Sequence, residues 1–310
     1  MCLYPKLIKN PKYTKTKKNG GVIPPLIHHQ TAYVPVGCGK CIECLKQKAN
    51  EWRIRLHEEL KVNKYAYFIT LSFSSESLQK LCKNYNLQNV NDVATKAVRL
   101  FLERYRKEYK KSLKHWIITE LGQDNTERIH LHGIIFTMFP INNEWLEKRW
   151  QYGIADTGKY CNSKTINYII KYVYKIDPKH KEYIPKILCS KGIGSNYITP
   201  NNINKHKYND KETIEYYTLP NGQRVNLPIY YRNKLWDDGD RERLWINRVN
   251  EDTRYVNGIK ITNSSKENYN TLLATLRQAQ MENEQLGYGS PKWKKKEYKV
   301  TLEMLKHSKN

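Results

Sequence analysis

The stretch RIHLHGIIFT, residues 128–137, decides the fold of this chain. Its β-branched and apolar residues predict a strand. The stretch KHWIITEL, residues 114–121, predicts a second strand in the same way. The polar segment between them, Gly122 to Glu127, suits a hairpin turn, so we expect the two strands to pair antiparallel.

Further strands and helices are predicted on both sides of this hairpin. Residues 65–73 are aromatic and β-branched, which predicts another strand. Residues 1–37 contain five prolines and are expected to be irregular and extended, and residues 195–233 to form loops and short strands. Apolar residues at helical spacing predict helices over residues 45–62, 92–109, 143–151 and 163–176. Ser163 is expected to cap the last of these and Pro178 to end it. A late helix is predicted to begin at a capping box formed by Ser264 and Glu267 and to end at Gly287.

Composition favours a nucleic-acid partner. The 310 residues include 54 Lys and Arg against 30 Asp and Glu, a formal charge of +24, together with 24 Tyr and 7 Trp. Basic side chains gain affinity for phosphates by releasing counterions, and Tyr and Trp can stack on unpaired bases. We expect neither a membrane span nor a signal peptide, because no apolar run approaches about 18 residues and the first residues are not apolar.

The first chemical motif is the pair His130 and His132. Side chains alternate along a strand, so both imidazoles project from one face and form half of a divalent-metal site. Glu120 is the candidate third ligand, since it can meet the histidines across the hairpin, and Glu127 is its rival. The alternative interpretation is a pair of half-buried strand histidines that hydrogen-bond to backbone.

The second motif lies on the predicted helix over residues 163–176. At about 100° per residue, its tyrosines and lysines fall in one arc and its isoleucines in another, so the helix should bury isoleucines and present phenols and ammonium groups. A phenol beside ammonium groups and a metal-polarised phosphate can attack phosphorus, and the resulting phosphotyrosine ester keeps the energy of the broken bond. The alternative is a solvated face that only binds phosphates. The residues of this arc are Tyr168, Lys171, Tyr172 and Lys175.

The third motif is a cluster of cysteines at a loop-to-helix junction. Tetrahedral zinc requires a fourth ligand, for which Cys2 is the candidate and His28 or His29 the substitutes. An iron–sulfur cluster would need the same number of ligands, and three free thiols are the remaining alternative. We interpret the metal's role as structural. The cluster consists of Cys38, Cys41 and Cys44.

Three segments together resemble the motifs of the HUH endonuclease superfamily, the nickases that start rolling-circle replication. Phe68–Phe73 is similar to the first motif, Ile129–Gly133 to the metal-binding second motif and Tyr168–Tyr172 to the two-tyrosine third motif. More narrowly, residues 2–236 resemble the replication-initiation proteins of microviruses, especially of gokushovirus-like single-stranded DNA phages.

The resemblance implies an α+β fold in which a central antiparallel sheet carries the histidines and flanking helices deliver the tyrosines. An N-terminal Cys-rich metal-binding segment and a helical C-terminal extension would complete it. It further implies Mg²⁺ or Mn²⁺ at the histidines, nicking of origin duplex DNA with a covalent 5′ attachment, and rejoining of the displaced single strand. The partners would include host helicase and polymerase, in the cytoplasm of the bacterial host.

The predicted organisation has four parts: a Cys-rich segment with the first helix (residues 1–62), a nickase core (63–180), a loop-rich completion of that domain (181–262) and a basic helical extension (263–310). Two other functions compete with the phage initiator. One is a non-catalytic, zinc-containing protein that binds single-stranded nucleic acid. The other is a related HUH enzyme, either a plasmid initiator or a transposase.

Overall fold

The computed structural model describes residues 2–17, 19–122, 127–175, 179–180, 183–256, 259–262 and 265–288. These residues form two compact units. The unit that we call the cysteine unit is the described part of residues 1–48, 200–216 and 229–310, and the sheet unit is the described part of residues 49–199 and 217–228.

The elements are numbered here in chain order over the described residues. The strands are β1 Lys6–Lys9, β2 Tyr33–Val36, β3 Tyr65–Leu71, β4 Lys114–Leu121, β5 Ile129–Thr137, β6 Ala155–Tyr160, β7 Ile187–Cys189, β8 Tyr216–Thr218, β9 Arg224–Asn226, β10 Thr253–Val256 and β11 Ile259–Thr262. The α-helices are α1 Ile42–Val62, α2 Ser75–Tyr85, α3 Val90–Tyr109, α4 Asn143–Trp150, α5 Ser163–Ile170, α6 Pro200–Lys205, α7 Ile229–Leu235, α8 Asp238–Glu251 and α9 Lys266–Gln285.

A five-stranded antiparallel sheet in the order β6-β3-β5-β4-β7 forms the centre of the sheet unit. The predicted hairpin is confirmed: β4 and β5 pair antiparallel, with Glu120 opposite His130. The amide of Gly122 donates to the carbonyl oxygen of Arg128 at 3.0 Å and closes the base of the turn, whose residues 123–126 lie outside the described residues. The predicted α+β class with a central antiparallel sheet and flanking helices is therefore confirmed.

Helices cover both faces of this sheet. One buried cluster joins β-strand residues such as Leu131 and Ile135 to α2, α3 and α4. The other joins Ile118 and Ile134 to α1 and α5. The odd-numbered residues of β5, including Leu131, thus point into a core as their alternation predicts, whereas the histidines face the α1 and α5 side.

The predicted helix over residues 163–176 is the element that the structure corrects most. Asn162, not Ser163, caps it, in a capping box with Thr165. The α-helix ends at Ile170 and continues as a 3₁₀ turn over Lys171–Val173. The predicted end at Ile176 and Pro178 lies outside the described residues.

Several other boundaries differ from the predictions. Four predicted elements are confirmed with shifted ends, namely α1, β3, α3 and α4. The expectation of an irregular N-terminal region is wrong in part, because β1 and β2 pair antiparallel there. The sequence patterns did not predict α2, β6, β7, α8, β10 or β11. The expectation of loops and short strands over residues 195–233 is wrong in part, because the helices α6 and α7 lie there beside the short strands β8 and β9.

The cysteine unit contains a small core in which α9 packs on the N-terminal segment. Leu272, Leu276 and Ala279 of α9 share a buried cluster with Leu3 and Cys41. The predicted late helix is confirmed, but the side chain that caps it belongs to Ser265, which accepts the amide of residue 268. Its predicted cap Ser264 and the basic segment over residues 292–310 lie outside the described residues.

Buried polar side chains also stabilise the cysteine unit. Asn283 is fully buried; its Oδ1 accepts the amide of Ile42 at 2.9 Å, and its Nδ2 donates to the hydroxyl of Tyr4 at 3.2 Å. Elsewhere in the unit, Glu242 accepts hydrogen bonds from the ammonium of Lys12 and the hydroxyl of Tyr13, both at 2.6 Å. Burial alone would raise the pKa of Glu242, but these bonds outweigh it and hold the pKa below its ordinary value.

Candidate active site and metal sites

The hairpin register places one carboxylate and two imidazoles together. His130 lies directly opposite Glu120, and His132 lies opposite the residue two positions earlier on β4, so all three side chains share one face. The Nε2 atoms of His130 and His132 are 3.2 and 3.1 Å from Oε2 of Glu120. This group could hold one metal ion, since its ligand atoms all lie within 4.8 Å of one another.

Both imidazoles make a second contact through Nδ1. In His130, Nδ1 lies 3.3 Å from the carbonyl oxygen of Arg128. In His132, Nδ1 lies 3.2 Å from the hydroxyl of Thr70, which stands opposite it on β3. Each Nε2 is therefore directed toward Glu120 while Nδ1 is hydrogen-bonded elsewhere.

The two tyrosines lie beside this group. The ring of Tyr172 stacks on His132 with a centroid separation of 4.6 Å and an interplanar angle of 13°. The hydroxyls of Tyr168 and Tyr172 are 3.0 Å apart. The structure thus brings the paired phenols and the imidazole pair together, as the site prediction requires.

The tyrosines differ in exposure, which corrects the prediction that both phenols lie on a side of the helix separate from the buried isoleucines. Tyr168 is 47% exposed, whereas Tyr172 is only 6% exposed. Tyr172 belongs to the buried cluster of Ile166 and Ile170, because α5 lies on the sheet face that bears His132 and the ring of Tyr172 covers that imidazole. Helical spacing alone separates the tyrosine from the isoleucines but does not show what covers it.

Two ammonium groups complete the polar surface. The Nζ of Lys171 lies 3.8 Å from the ring centroid of Tyr168. The Nζ of Lys175 donates to Oε1 of Glu120 at 2.6 Å. A small pocket adjoins Lys175 and is lined by Thr119, Glu120, Leu121, Tyr172, Lys175, Tyr183 and Pro185.

The charges of the site are coupled. Burial disfavours the Glu120 carboxylate, but hydrogen bonds from His130, His132 and Lys175 outweigh it and hold the pKa of Glu120 far below its ordinary value. Burial would likewise lower the pKa of His130, yet the bond to Glu120 leaves that pKa raised. The pKa of the Tyr172 phenol is raised by burial and by its hydrogen bond with Tyr168. The carboxylate is therefore ionised at neutral pH and available to a cation.

The predicted cysteine cluster is present in the cysteine unit. Four sulfur atoms, from Cys2, Cys38, Cys41 and Cys44, lie within 4.8 Å of one another. Cys2 and Cys41 are separated by 3.9 Å and Cys38 and Cys44 by 4.0 Å. A tetrahedral zinc site with Zn–S bonds of about 2.3 Å requires sulfur atoms about 3.8 Å apart, so these separations fit a metal and are too long for disulfides.

Backbone amides point at sulfur atoms of this cluster, and hydrogen bonds between the thiols lower the pKa of some of them and raise that of others. The amides of Tyr4 and Cys38 lie 3.3 and 3.2 Å from the sulfur of Cys2, and the amide of Cys41 lies 3.2 Å from that of Cys38. The hydrogen bond with Cys2 is the main cause that lowers the pKa of Cys38. In Cys44, the hydrogen bond with Cys2 is instead the main cause that raises the pKa. Such amide bonds are typical of sulfur atoms that carry thiolate charge at a metal.

The structure also shows where the alternative ligands lie. Glu127 does not join the histidine group: its carboxylate is 3.5 Å from Nε2 of His180. Among the described residues, the four-cysteine group includes neither His28 nor His29. The sequence patterns did not identify Thr70 as part of the site. Alternation along β3 could have placed Thr70 on the face that bears the histidines, but its partner His132 lies 62 positions away, so no local pattern joins the two.

Two comparisons with known proteins give a match for this chain. A model of the replication-associated protein ORF2 family matches residues 66–177, which include every residue of the histidine and tyrosine group. The chain is also 27% identical over 234 residues to the replication-associated protein VP4 of Bdellovibrio phage phiMH2K, in an alignment that covers 67% of this chain and 69% of that relative. No solved structure matches significantly.

The two matches confirm the resemblance to a microvirus-like replication initiator, and they support a role in DNA replication. They do not extend to the chemistry of individual residues, whose roles stay predictions. None of the helices in the described part of the chain is long and apolar enough to cross a membrane.

Proposed function

We propose that this protein is a metal-dependent endonuclease with an HUH-type fold that nicks origin DNA through a tyrosine nucleophile and later rejoins the strands. The observation that carries the proposal is the stack of Tyr172 on His132, 4.6 Å between ring centroids, beside a carboxylate that reaches both imidazoles. In this stack the paired phenols lie next to three side chains that could hold one metal ion.

The ligand group fits a divalent ion. In octahedral coordination with bonds of about 2.1 Å, adjacent ligand atoms are about 3.0 Å apart. The separations of 3.1 and 3.2 Å between Glu120 Oε2 and the two Nε2 atoms match this value. A mixed carboxylate and imidazole set suits Mn²⁺ as well as Mg²⁺, and when bound the ion supplies Lewis-acid polarisation of the scissile phosphate.

The chain's own residues account for the covalent step. A phenol oxygen forms a bond to phosphorus, the bond from phosphorus to the 3′-oxygen breaks, and the phenol loses a proton while the 3′-oxygen gains one. The hydroxyls of Tyr168 and Tyr172 are 3.0 Å apart, and the proton that the attacking phenol loses passes to solvent water. Lys171 and Lys175 lie close enough to the phenols to stabilise charge on the phosphate oxygens.

Rejoining is the reverse of this step. A 3′-hydroxyl attacks the phosphotyrosine, the new phosphodiester forms, and the phenol is released with a proton. No ATP is needed because the ester keeps the energy of the original bond. Two tyrosines with hydroxyls 3.0 Å apart allow one to hold the 5′ end while the other attacks a second strand.

We assign Zn²⁺ to the cysteine group as a structural ion. All four ligands come from the chain, so the coordination would be closed. Metal analysis of the purified protein should find one zinc, and Cys41→Ser should lose it while leaving bound Mn²⁺ unchanged. Iron in place of zinc, with the visible absorption of an iron–sulfur cluster, would contradict this assignment.

The nickase is tested by trapping the covalent adduct. The protein is incubated with Mn²⁺ and single-stranded oligonucleotides that tile the genome encoding it, and adducts are separated on a denaturing gel. We expect a shifted band whose modified peptide contains Tyr168 or Tyr172. The double variant Tyr168→Phe with Tyr172→Phe should form no adduct, whereas Tyr85→Phe, which changes an exposed tyrosine of α2, should form the normal amount.

The result also separates the competing functions. A non-catalytic nucleic-acid-binding protein would bind the oligonucleotides without any adduct, and an adduct that survives in the double variant would remove these tyrosines from the role. If the nickase is correct, it acts in the cytoplasm of the bacterial host, where a host helicase would separate the strands and a host polymerase would extend the free 3′-hydroxyl.

A further inference from the structure

The imidazole of His132 is held on three sides, and the hydroxyl of Thr70 makes the polar contact. The ring of Tyr172 stacks on the imidazole at 4.6 Å, and the ring of Phe68 lies nearly parallel to it at a centroid distance of 5.8 Å and an angle of 17°. The hydroxyl of Thr70 is 3.2 Å from Nδ1. The two aromatic rings fix the plane of the imidazole. The hydroxyl selects one of the two ring rotations that share this plane, the one that directs Nδ1 toward Thr70.

The position of Thr70 follows from the sheet register. Thr70 on β3 is directly opposite His132 on β5, and side chains of such cross-strand pairs lie about 5 Å apart on the same face. Phe68 lies two residues earlier on β3 and therefore faces the same side. One strand thus supplies both the flat contact and the hydrogen bond to a single histidine.

A flipped imidazole would present carbon in place of Nε2, so the orientation of His132 matters for metal binding. With Nδ1 hydrogen-bonded to Thr70, Nε2 points to Oε2 of Glu120 at 3.1 Å. A hydroxyl can donate or accept, so Thr70 satisfies Nδ1 in either tautomer, including the one in which Nδ1 keeps the proton and Nε2 offers its lone pair.

His130 obtains the same orientation in a different way. Its Nδ1 lies 3.3 Å from the backbone carbonyl oxygen of Arg128, two residues earlier in the chain, so no side chain can be mutated to remove the contact. The orientation of His132, in contrast, depends on a single hydroxyl of another strand. The two metal-ligand candidates therefore differ in their sensitivity to mutation.

We propose that Thr70 is a positioning residue that fixes the rotation of the His132 ring and thereby the affinity of the site for its divalent ion. The inference rests on the proposed metal-dependent function and deepens it. Hydrogen bonds of this kind to a ligating histidine typically contribute a factor of about 10 to 100 in metal affinity. Thr70 has no contact with the substrate in this proposal and acts only through His132.

The test measures Mn²⁺ affinity by titration calorimetry on zinc-loaded full-length protein, without DNA. Thr70→Val removes the hydroxyl and keeps the branched shape, and we expect its affinity to fall about 10- to 100-fold. Thr70→Ser keeps the hydroxyl and should stay within about threefold of the wild-type affinity. The matched control is Thr137→Val on β5, whose hydroxyl donates to the carbonyl oxygen of Phe139 at 2.7 Å, away from the metal group.

Each outcome is decisive. Equal affinities for Thr70→Val and Thr70→Ser would overturn the positioning role, provided that His132→Ala still weakens binding. Absence of Mn²⁺ binding in the wild type would instead overturn the proposed metal site itself. If Thr70→Val does not fold, Thr70→Ala removes the same hydroxyl without adding a methyl group to the packing, and the same loss of affinity is expected.

Discussion

Substitution of Gly133 by alanine should loosen the hairpin that carries the metal ligands. Gly133 lies opposite Ile117 on β4 and points into the core next to His132. A Cβ atom at this position would meet Cγ1 of Ile117 at 2.7 Å, the carbonyl oxygen of Trp116 at 2.9 Å and Cα of Ile117 at 3.2 Å. Two of these three atoms belong to the backbone, so a change of rotamer cannot relieve the overlap.

The expected cost follows from those contacts. Overpacking of a core costs roughly 1–3 kcal/mol, and backbone contacts place this position near the upper value. Alanine recovers about 0.5–1 kcal/mol of backbone entropy relative to glycine, which leaves a net loss of about 2 kcal/mol in the free energy of unfolding. The separation of β4 and β5 must also grow by several tenths of an ångström, which moves Glu120 away from His130 and His132.

Chemical denaturation measures the first effect and Mn²⁺ titration the second. The matched control is Gly122→Ala in the same hairpin, where the nearest atom to the new Cβ is the carbonyl oxygen of Arg128 at 3.4 Å, an ordinary contact. We expect Gly133→Ala to lose both stability and metal affinity, and Gly122→Ala to lose little of either. Equal stability of the two variants would refute the reasoning from close backbone approach.

Three further predictions concern other parts of the chain. Tyr168→Phe should reduce the first covalent adduct on a denaturing gel more than Tyr172→Phe, because 47% exposure leaves Tyr168 open to DNA while Tyr172 is covered; the opposite order would contradict this. Asn283→Ala should lower the free energy of unfolding by about 2–4 kcal/mol, since it removes both the acceptor of the Ile42 amide and a donor to the Tyr4 hydroxyl, whereas Asn270→Ala on the exposed side of α9 should have no cost in the same denaturation assay. Folding lowers the pKa of Glu242. The contribution of Glu242 to stability is therefore present above about pH 4.3 and is lost as the pH falls through the lower pKa of the folded state. The free energy of unfolding of Glu242→Gln, measured by denaturation, should depend less on pH in this acidic range than that of the wild type.

The parts of the site that depend on short spacings could be predicted from the sequence. Alternation along β5 places His130 and His132 on one face, and the short hairpin brings Glu120 opposite His130. One helical turn brings the hydroxyls of Tyr168 and Tyr172 together. These relations involve residues that are two, four or ten positions apart, and local geometry determines them.

The parts that depend on distant contacts could not be predicted. Thr70 meets His132 only because β3 joins β5 across 62 residues of chain, and no local pattern contains that register. Strand β6, with the sequence ADTGKY, lacks the alternation of a half-buried strand because it lies at the edge of the sheet. The 3₁₀ turn after Ile170 is likewise a result of packing, since the isoleucine pattern continues past it.

The two metal groups differ in a way that assigns them different roles. The cysteine group offers four chain ligands at tetrahedral spacing, and a closed coordination shell leaves no position for a substrate. The group of Glu120, His130 and His132 offers three, so an ion bound there keeps open positions, and the phenol that covers His132 lies beside them. Loss of the first metal should therefore unfold the core that joins α9 to the N-terminal segment, whereas loss of the second should leave the fold intact and remove the chemistry.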